Sequence, residues 1–444
     1  MKKFFDGFKN CIDTFFEKNI SIAFFVIVLS LGWILDLTFY SYSIICFMFC
    51  VNLLFRSDLS PFLICLPSMM FVFNEYPITT PYYVLLSLSL SAVLLCFCVY
   101  LIRESRKGTL SFKFDKRSFV ILIALLGLTL GGIFSAYFSV KSMIFAVVIM
   151  GSTLVYYLFI KNFSKIKMSE FLYKMFLIST IVIIIQLIYC YVASGNPLSV
   201  LQNKGARVGI GEINLPATVL AMAIPLMIYK AINSKYDYIY ILFAVLTLIF
   251  VVMTCCRGAL LFAGVFGLLS FIVYFIKTKR KSVPTAFLGS LVAIALVAVL
   301  CFKSQTMALL EHFIEHGFDD SGRFDIWKLG VQYFLDYPVF GVGLQAPTWR
   351  YEYTMIHCSV IQILACTGVF GTLCFIIYFI DRYRHIFKIK NNLCIFGYFS
   401  ILICACYGLI DQTITCAIFH MIVFVILLAI DENLRQSDYE KKKG

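Results

Sequence analysis

Residues 175–194, MFLISTIVIIIQLIYCYVAS, run for twenty positions without one charged side chain. At ~1.5 Å per residue a helix of that length is ~30 Å long, the thickness of a bilayer's hydrocarbon core. The rest of the chain is built the same way. Of its 444 residues 61% are hydrophobic, 17% aromatic and only 14% charged, more apolar surface than one soluble core can hide. Further apolar runs lie near 20–35, 38–55, 59–73, 82–102, 119–139, 142–160, 213–229, 238–254, 258–276, 284–302, 354–380, 393–410 and 412–430. They predict an all-α, polytopic transmembrane helical bundle of about 12–14 spans. The chain then forms one integral membrane domain over 1–444, with residues 303–353 as its larger outer loop.

Charge gives the expected orientation, because cytoplasmic loops collect Lys and Arg. With both termini cytoplasmic, 29 of the 37 Lys and Arg fall on inner segments. The net charge of +13 is then a topology signal that requires no nucleic-acid partner. Most of the 17 cysteines lie within apolar runs, where cysteine acts as a small hydrophobe, and no metal-binding CxxC pair occurs. No small-residue cleavage site follows the first apolar run, so that run is expected to stay as a span.

Eight cations remain outside in this topology: Lys141, Lys204, Arg207, Arg257, Lys303, Arg323, Lys328 and Arg350. Arginine clamps phosphate well, since its planar fork pairs two donors and stays charged. Arg257 heads the span near 258–276, and Arg323 opens SGRFDIWKLGVQYFL (321–335). The latter stretch predicts a surface helix capped by Asp320 or Ser321 and ended by Tyr337 and Pro338, with Trp327, Tyr333 and Phe334 at the membrane interface. Interfacial snorkelling, or pairing with Asp319, Asp320 or Asp325, is the competing reading of these arginines.

His357 opens HCSVIQILACTGVFG (357–371) at the outer edge of a span, and Gly368 and Gly371 follow 11 and 14 residues later. On an unbroken helix those steps return to within about 40° of one face, ~16 to 21 Å deeper. That face offers a titratable head above a smooth floor, or simply close helix packing. His312, Glu315 and His316 spell H-x-x-E-H, a zinc-protease spacing that needs a helix and a third ligand to mean anything. No nucleotide-binding glycine loop is present. The spans also lack mid-membrane acids and bases of the kind ion-coupled carriers use, which weighs against a carrier or polyprenyl-glycan flippase, the alternative of another class.

The strings RVGIGEINLPATVLA (207–221), CCRGALL (255–261), SGRFDIWKLGVQYFLDYPVFGVGL (321–344) and HCSVIQILACTGVFG occur in an order that resembles the bacterial O-antigen ligase and O-antigen polymerase (Wzy-type) membrane family. The resemblance covers about residues 200–380. It implies a glycosyltransferase acting outside the bacterial cytoplasmic membrane on undecaprenyl-pyrophosphate-linked glycans, without metal, nucleotide or other cofactor. It identifies His357 with the family's catalytic histidine and Arg257 and Arg323 with its pyrophosphate-contacting arginines. Arg207 and Asn214 resemble a further outer-loop element. Cys358 stands where the family usually has Asn, Ser or Gln. The implied partners are the lipid-linked donor, an acceptor glycan, the bilayer, a flippase and a chain-length regulator. A polymerase is favoured over a ligase. The residue types suit the chemistry, since fixed arginines meet charge building on a pyrophosphate leaving group and an imidazole accepts the proton of an attacking hydroxyl. The groove beneath His357, lined by Ile361, Leu364, Gly368 and Gly371, is expected to admit the prenyl chain.

Overall fold

The structure, a computed structural model, describes residues 2–17, 20–72, 80–109, 112–202, 206–209, 213–285, 288–289, 307, 322–344, 356–384, 386 and 391–443. Among them every regular element is a helix. In chain order these are α1 (Lys2–Glu17), α2 (Ile20–Ile34), α3 (Thr38–Phe55), α4 (Ser60–Met69), α5 (Thr80–Arg106), α6 (Lys116–Ile133), α7 (Val140–Ala146), α8 (Ser152–Phe163), α9 (Met168–Ala193), α10 (Pro197–Gln202), α11 (Asn214–Ile232), α12 (Asp237–Met253), α13 (Arg257–Lys277), α14 (Arg323–Asp336), α15 (Ser359–Tyr383), α16 (Asn392–Ile410) and α17 (Ala417–Lys443).

Among the described residues ten helices are long and apolar enough to cross a membrane, or up to eleven if α1 and α2, bent by 77°, form one broken span. The expected 12–14 runs include shorter ones and one that lies mostly outside the described residues. An apolar run measures composition, whereas crossing needs length, and the runs near 59–73 and 238–254 become helices of 10 and 17 residues. At ~1.5 Å per residue these reach only ~15 and ~26 Å. The run at 284–302 falls almost wholly outside the described residues. Conversely, α7 and α8 join through a π turn at Val147–Gly151, and together they supply one span from Ser142 to Phe163. The outward faces are apolar, with Leu95, Val192, Leu242 and Ile380 all well exposed, as helices bathed in hydrocarbon require. The chain is a multi-pass membrane protein.

The chain divides into two compact units. The first comprises residues 1–114, 155–195 and 206–216, the second residues 115–154, 196–205 and 217–444. In the first unit α9 packs against α2 and α4, and α3 lies along α5. Polar threads cross between these helices where the membrane offers no water: Ser68 and Ser179 share a hydrogen bond at 2.9 Å, and Gln186 Nε2 donates to the Phe71 carbonyl at 2.8 Å.

In the second unit small residues set the packing. A Cβ on Gly127 or Gly131 of α6 would meet Cys374 or Thr367 of α15, and one on Gly397 of α16 would meet Ile426 and Ile430 of α17. Without a hydrophobic drive between helices in lipid, such close backbone approach is what holds them. Helix starts are fixed by caps: Asp115 and Ser118 form a reciprocal capping box on α6, and the Asn391 side chain accepts from the Cys394 N–H on α16.

Candidate active site

Three helices of the second unit begin with the residues of interest. Arg257 is the first residue of α13 and Arg323 the first of α14. His357 stands two residues before α15, with Cys358 as the N-cap. A helix start presents unsatisfied N–H groups and the positive end of the dipole, so each candidate sits at a place already favourable to an anion.

These starts are tied to one another through a carboxylate in the turn between α16 and α17. Asp411 Oδ1 lies 3.1 Å from His357 Nδ1 and accepts the Gln412 N–H at 2.8 Å, and its Oδ2 accepts the Tyr407 hydroxyl at 2.7 Å. The Tyr407 hydroxyl also lies 3.6 Å from the thiol of Cys256, the residue before Arg257. From the other side the Trp327 indole N–H donates to the His357 carbonyl at 3.2 Å. Trp327 is one turn along the helix that Arg323 starts. These contacts join the α13, α14 and α15 starts around His357 and Asp411.

Two glycines make the approach possible. A Cβ on Gly258 would strike Ile410 and Tyr407 at 2.4 and 3.0 Å, and one on Gly330 would strike Ile361 and Ile356 at 2.6 and 2.9 Å. They seat α13 on α16 and α14 on α15. His357 itself has φ +45° and Cys255 φ +51°. Left-handed backbone at non-glycine residues costs roughly 1–3 kcal/mol and persists only where surroundings impose it. Here the Trp327 and Asp411 contacts impose it on the histidine.

Burial alone would raise the Asp411 pKa, but hydrogen bonds from His357, Tyr407 and the Gln412 N–H, with the nearby imidazole charge, hold it below the ordinary carboxylate range. An ionised carboxylate only accepts, so the proton between the two groups belongs on His357 Nδ1. The His357 side chain is 34% exposed while that of Asp411 is 6% exposed. The dyad therefore has a buried end and an open one.

Other expectations fare differently. Gly368 is not on one continuous helical face with His357. Its backbone (φ +62°, ψ −162°) breaks α15, and the loop 338–343 fills the break. The Val342 and Gly343 N–H groups donate to the Ala365 and Cys366 carbonyls at 2.9 Å each, and the Val369 and Phe370 N–H groups donate to Pro338 and Val339 at 2.8 and 3.1 Å. A Cβ on Gly368 would lie 2.4 Å from the Val339 carbonyl. Gly371 is buried beside Thr367 and Gly127. The expected smooth groove floor is thus filled by protein backbone, because the two glycines serve the helix break and the contact with α6.

The surface helix exists as Arg323–Asp336, but its N-cap is Gly322 and Tyr333 is buried with Val342, Ile356 and Ala365. It docks on α15 instead of displaying Tyr333 at an interface. The proposed caps Asp320 and Ser321, the cations Lys204, Lys303 and Arg350, and His312, Glu315 and His316 lie outside the described residues. Among the described residues no cluster of three potential metal ligands occurs. Arg207 and Asn214 belong to the first unit. Arg207 is exposed on a short loop where its carbonyl accepts from the Cys190 thiol at 3.2 Å, next to Gly209 (φ +69°) packed on the Phe71 backbone. Asn214 starts α11.

Sequence reasoning missed Asp411, Tyr407 and the Trp327 contact. The available signal was small: Asp411 is a lone acid in LIDQT, between two apolar runs on the face assigned to the outside. No curated protein matches the chain. Residues 242–376, from α12 into α15 and including Arg257, Arg323 and His357, match the family described as O-antigen ligase.

Proposed function

We propose that the protein transfers a glycan from a polyprenyl-pyrophosphate carrier to a sugar hydroxyl at the outer face of the cytoplasmic membrane. The family match supports a membrane glycan-ligating enzyme. The observation that carries the finer reading is the Asp411 carboxylate on His357 Nδ1, with the other ring edge open.

In this reaction the acceptor oxygen forms a bond to the anomeric carbon as the bond from that carbon to the pyrophosphate oxygen breaks. The hydroxyl proton passes to His357 Nε2, and the electron pair of the broken bond leaves with the polyprenyl pyrophosphate. A positioned base is worth ~10² to 10⁴ in rate. Asp411 orients the ring and stabilises the imidazolium that forms. Arg257 and Arg323, at their helix starts, receive the charge growing on the leaving group. Both termini are then cytoplasmic.

The acceptor we assign is a second lipid-linked repeat unit, which makes the enzyme a polymerase. The second reading is a ligase, with a lipid A core as acceptor, since the matched family is described as O-antigen ligase. Incubating the purified full-length protein with a defined lipid-linked donor separates the two by product length and end group. His357→Ala and Arg323→Ala are expected to abolish either product while the protein stays folded and inserted. Undiminished turnover in both variants overturns the assignment.

A further inference from the structure

Between α15, α16 and α17 lies a cavity of about 210 Å³ whose lining includes Arg382, Tyr383, Cys404, His420, Ser359 and Thr413. It is roomy enough for a tetrahedral oxyanion. Arg382 is only 5% exposed, yet its Nε and Nη2 are buried without a hydrogen-bond partner among the described residues. Its guanidinium lies 5.6 Å from the centre of the Tyr383 ring. No carboxylate among the described residues pairs with it, for the adjacent Asp381 turns to Arg117 and Arg384. A buried, uncompensated guanidinium is steeply unfavourable, and Nε with Nη2 forms the edge that grips an oxyanion with two parallel bonds.

The other polar groups of the cavity are already engaged, the Cys404 thiol with Arg382 itself and with Thr413. The two His420 nitrogens meet the Tyr378 hydroxyl at 2.6 Å and the Ile414 carbonyl at 2.8 Å. Ser359 Oγ accepts the Thr413 N–H at 2.9 Å and lies 3.3 Å from both the Asp411 carbonyl and the Thr413 hydroxyl. Arg382 is therefore the cavity's one cation with free donors among the described residues. The lining also contains Val360 and Leu409, apolar side chains 48% and 52% exposed. In a multi-pass membrane protein such a rim faces lipid.

We propose that this cavity is a site for a phosphoryl anion, held by Arg382 Nε and Nη2, whose source is a membrane lipid entering past Val360 and Leu409. The proposal does not depend on the transfer reaction, so its test involves no donor glycan. Binding of dioctanoyl phosphatidic acid, dioctanoylglycerol and inorganic phosphate to the purified full-length protein in a maltoside detergent is measured by native mass spectrometry and by thermal shift.

The expected result is that phosphatidic acid binds and dioctanoylglycerol does not. Arg382→Gln is expected to weaken phosphatidic acid binding by at least about tenfold, with Arg382→Lys intermediate. Val360→Trp, an exposed substitution that leaves Arg382 in place, is expected to weaken it as well and decides the matter should Arg382→Gln fail to fold. Arg382-dependent binding of inorganic phosphate that equals phosphatidic acid and ignores Val360→Trp supports the anion site but assigns it to free phosphate. Binding of phosphatidic acid that survives both substitutions, or equal binding of dioctanoylglycerol, overturns the proposal.

Discussion

Helix α15 carries an ionic cluster at each end, and the two are built to opposite plans. At its C-terminal end Asp381 lies 2.9 Å from Arg117 and 3.0 Å from Arg384, while Asp431 lies 3.0 and 3.6 Å from the same two arginines. Two carboxylates balance two guanidiniums, and the Arg117 and Asp381 side chains are 3% and 5% exposed. At the N-terminal end one buried carboxylate, Asp411, faces one half-open imidazole on a strained backbone. This charge-balanced cluster clamps helices α6, α15 and α17. The dyad satisfies its carboxylate and leaves one imidazole edge available.

That contrast breaks down first if Asp381 matters to chemistry. Asp381→Asn is expected to cost ~3–5 kcal/mol of stability, because it strands buried guanidiniums. The activity of the molecules that remain folded should be unchanged. Thermal unfolding measured beside transfer per folded molecule checks this, and a loss of specific activity would dissolve the distinction between the two ends.

Asp411→Asn is expected to do the reverse, lowering transfer on the order of 10²-fold with little change in KM, since an amide no longer fixes the Nδ1–H tautomer. A structural role alone would leave the pH profile in place, so rate against pH is measured for both proteins. The sign for stability follows from the lowered Asp411 pKa. The contribution of this carboxylate is present above the unfolded value near ~3.9 and is lost as pH falls through the lower folded value. The stability gap between the wild type and Asp411→Asn should be level from about pH 5 upward and close in acid.

The smallest expected effect sharpens what separates the ends. Gly368→Ala forces a side chain onto a backbone at φ +62° against Val339, at roughly 1–3 kcal/mol. Transfer should fall through movement of the helix start at His357, with the Arg117 and Asp381 pair intact. Hydrogen exchange of the 338–343 loop beside that of α6 reports which end has loosened.

The helices were largely legible because lipid demands long apolar stretches, and a run such as 175–194 has no other explanation. Arg257, Arg323 and His357 were legible as types of residue at span edges. Asp411 was not, since it reaches His357 across 54 positions and a lone acid in a turn carries no partner in its neighbours. The break in α15 was hidden for a related reason. The glycine spacing fits a smooth helical face as well as a kink, and only the loop at 338–343 decides between them.

Sequence by itself determined the all-helical membrane architecture and which cations and histidine begin the helices of interest. Both follow from local chemistry, the hydropathy of runs and the charge at their ends. Tertiary structure alone decided that Asp411 orients His357, that Gly368 bends α15 around a backbone loop, and that Arg382 faces a cavity with two free donors. In a bilayer most helix faces are apolar, so periodicity does not mark the face that packs. The pairing of distant polar groups inside the bundle is settled only when the helices meet.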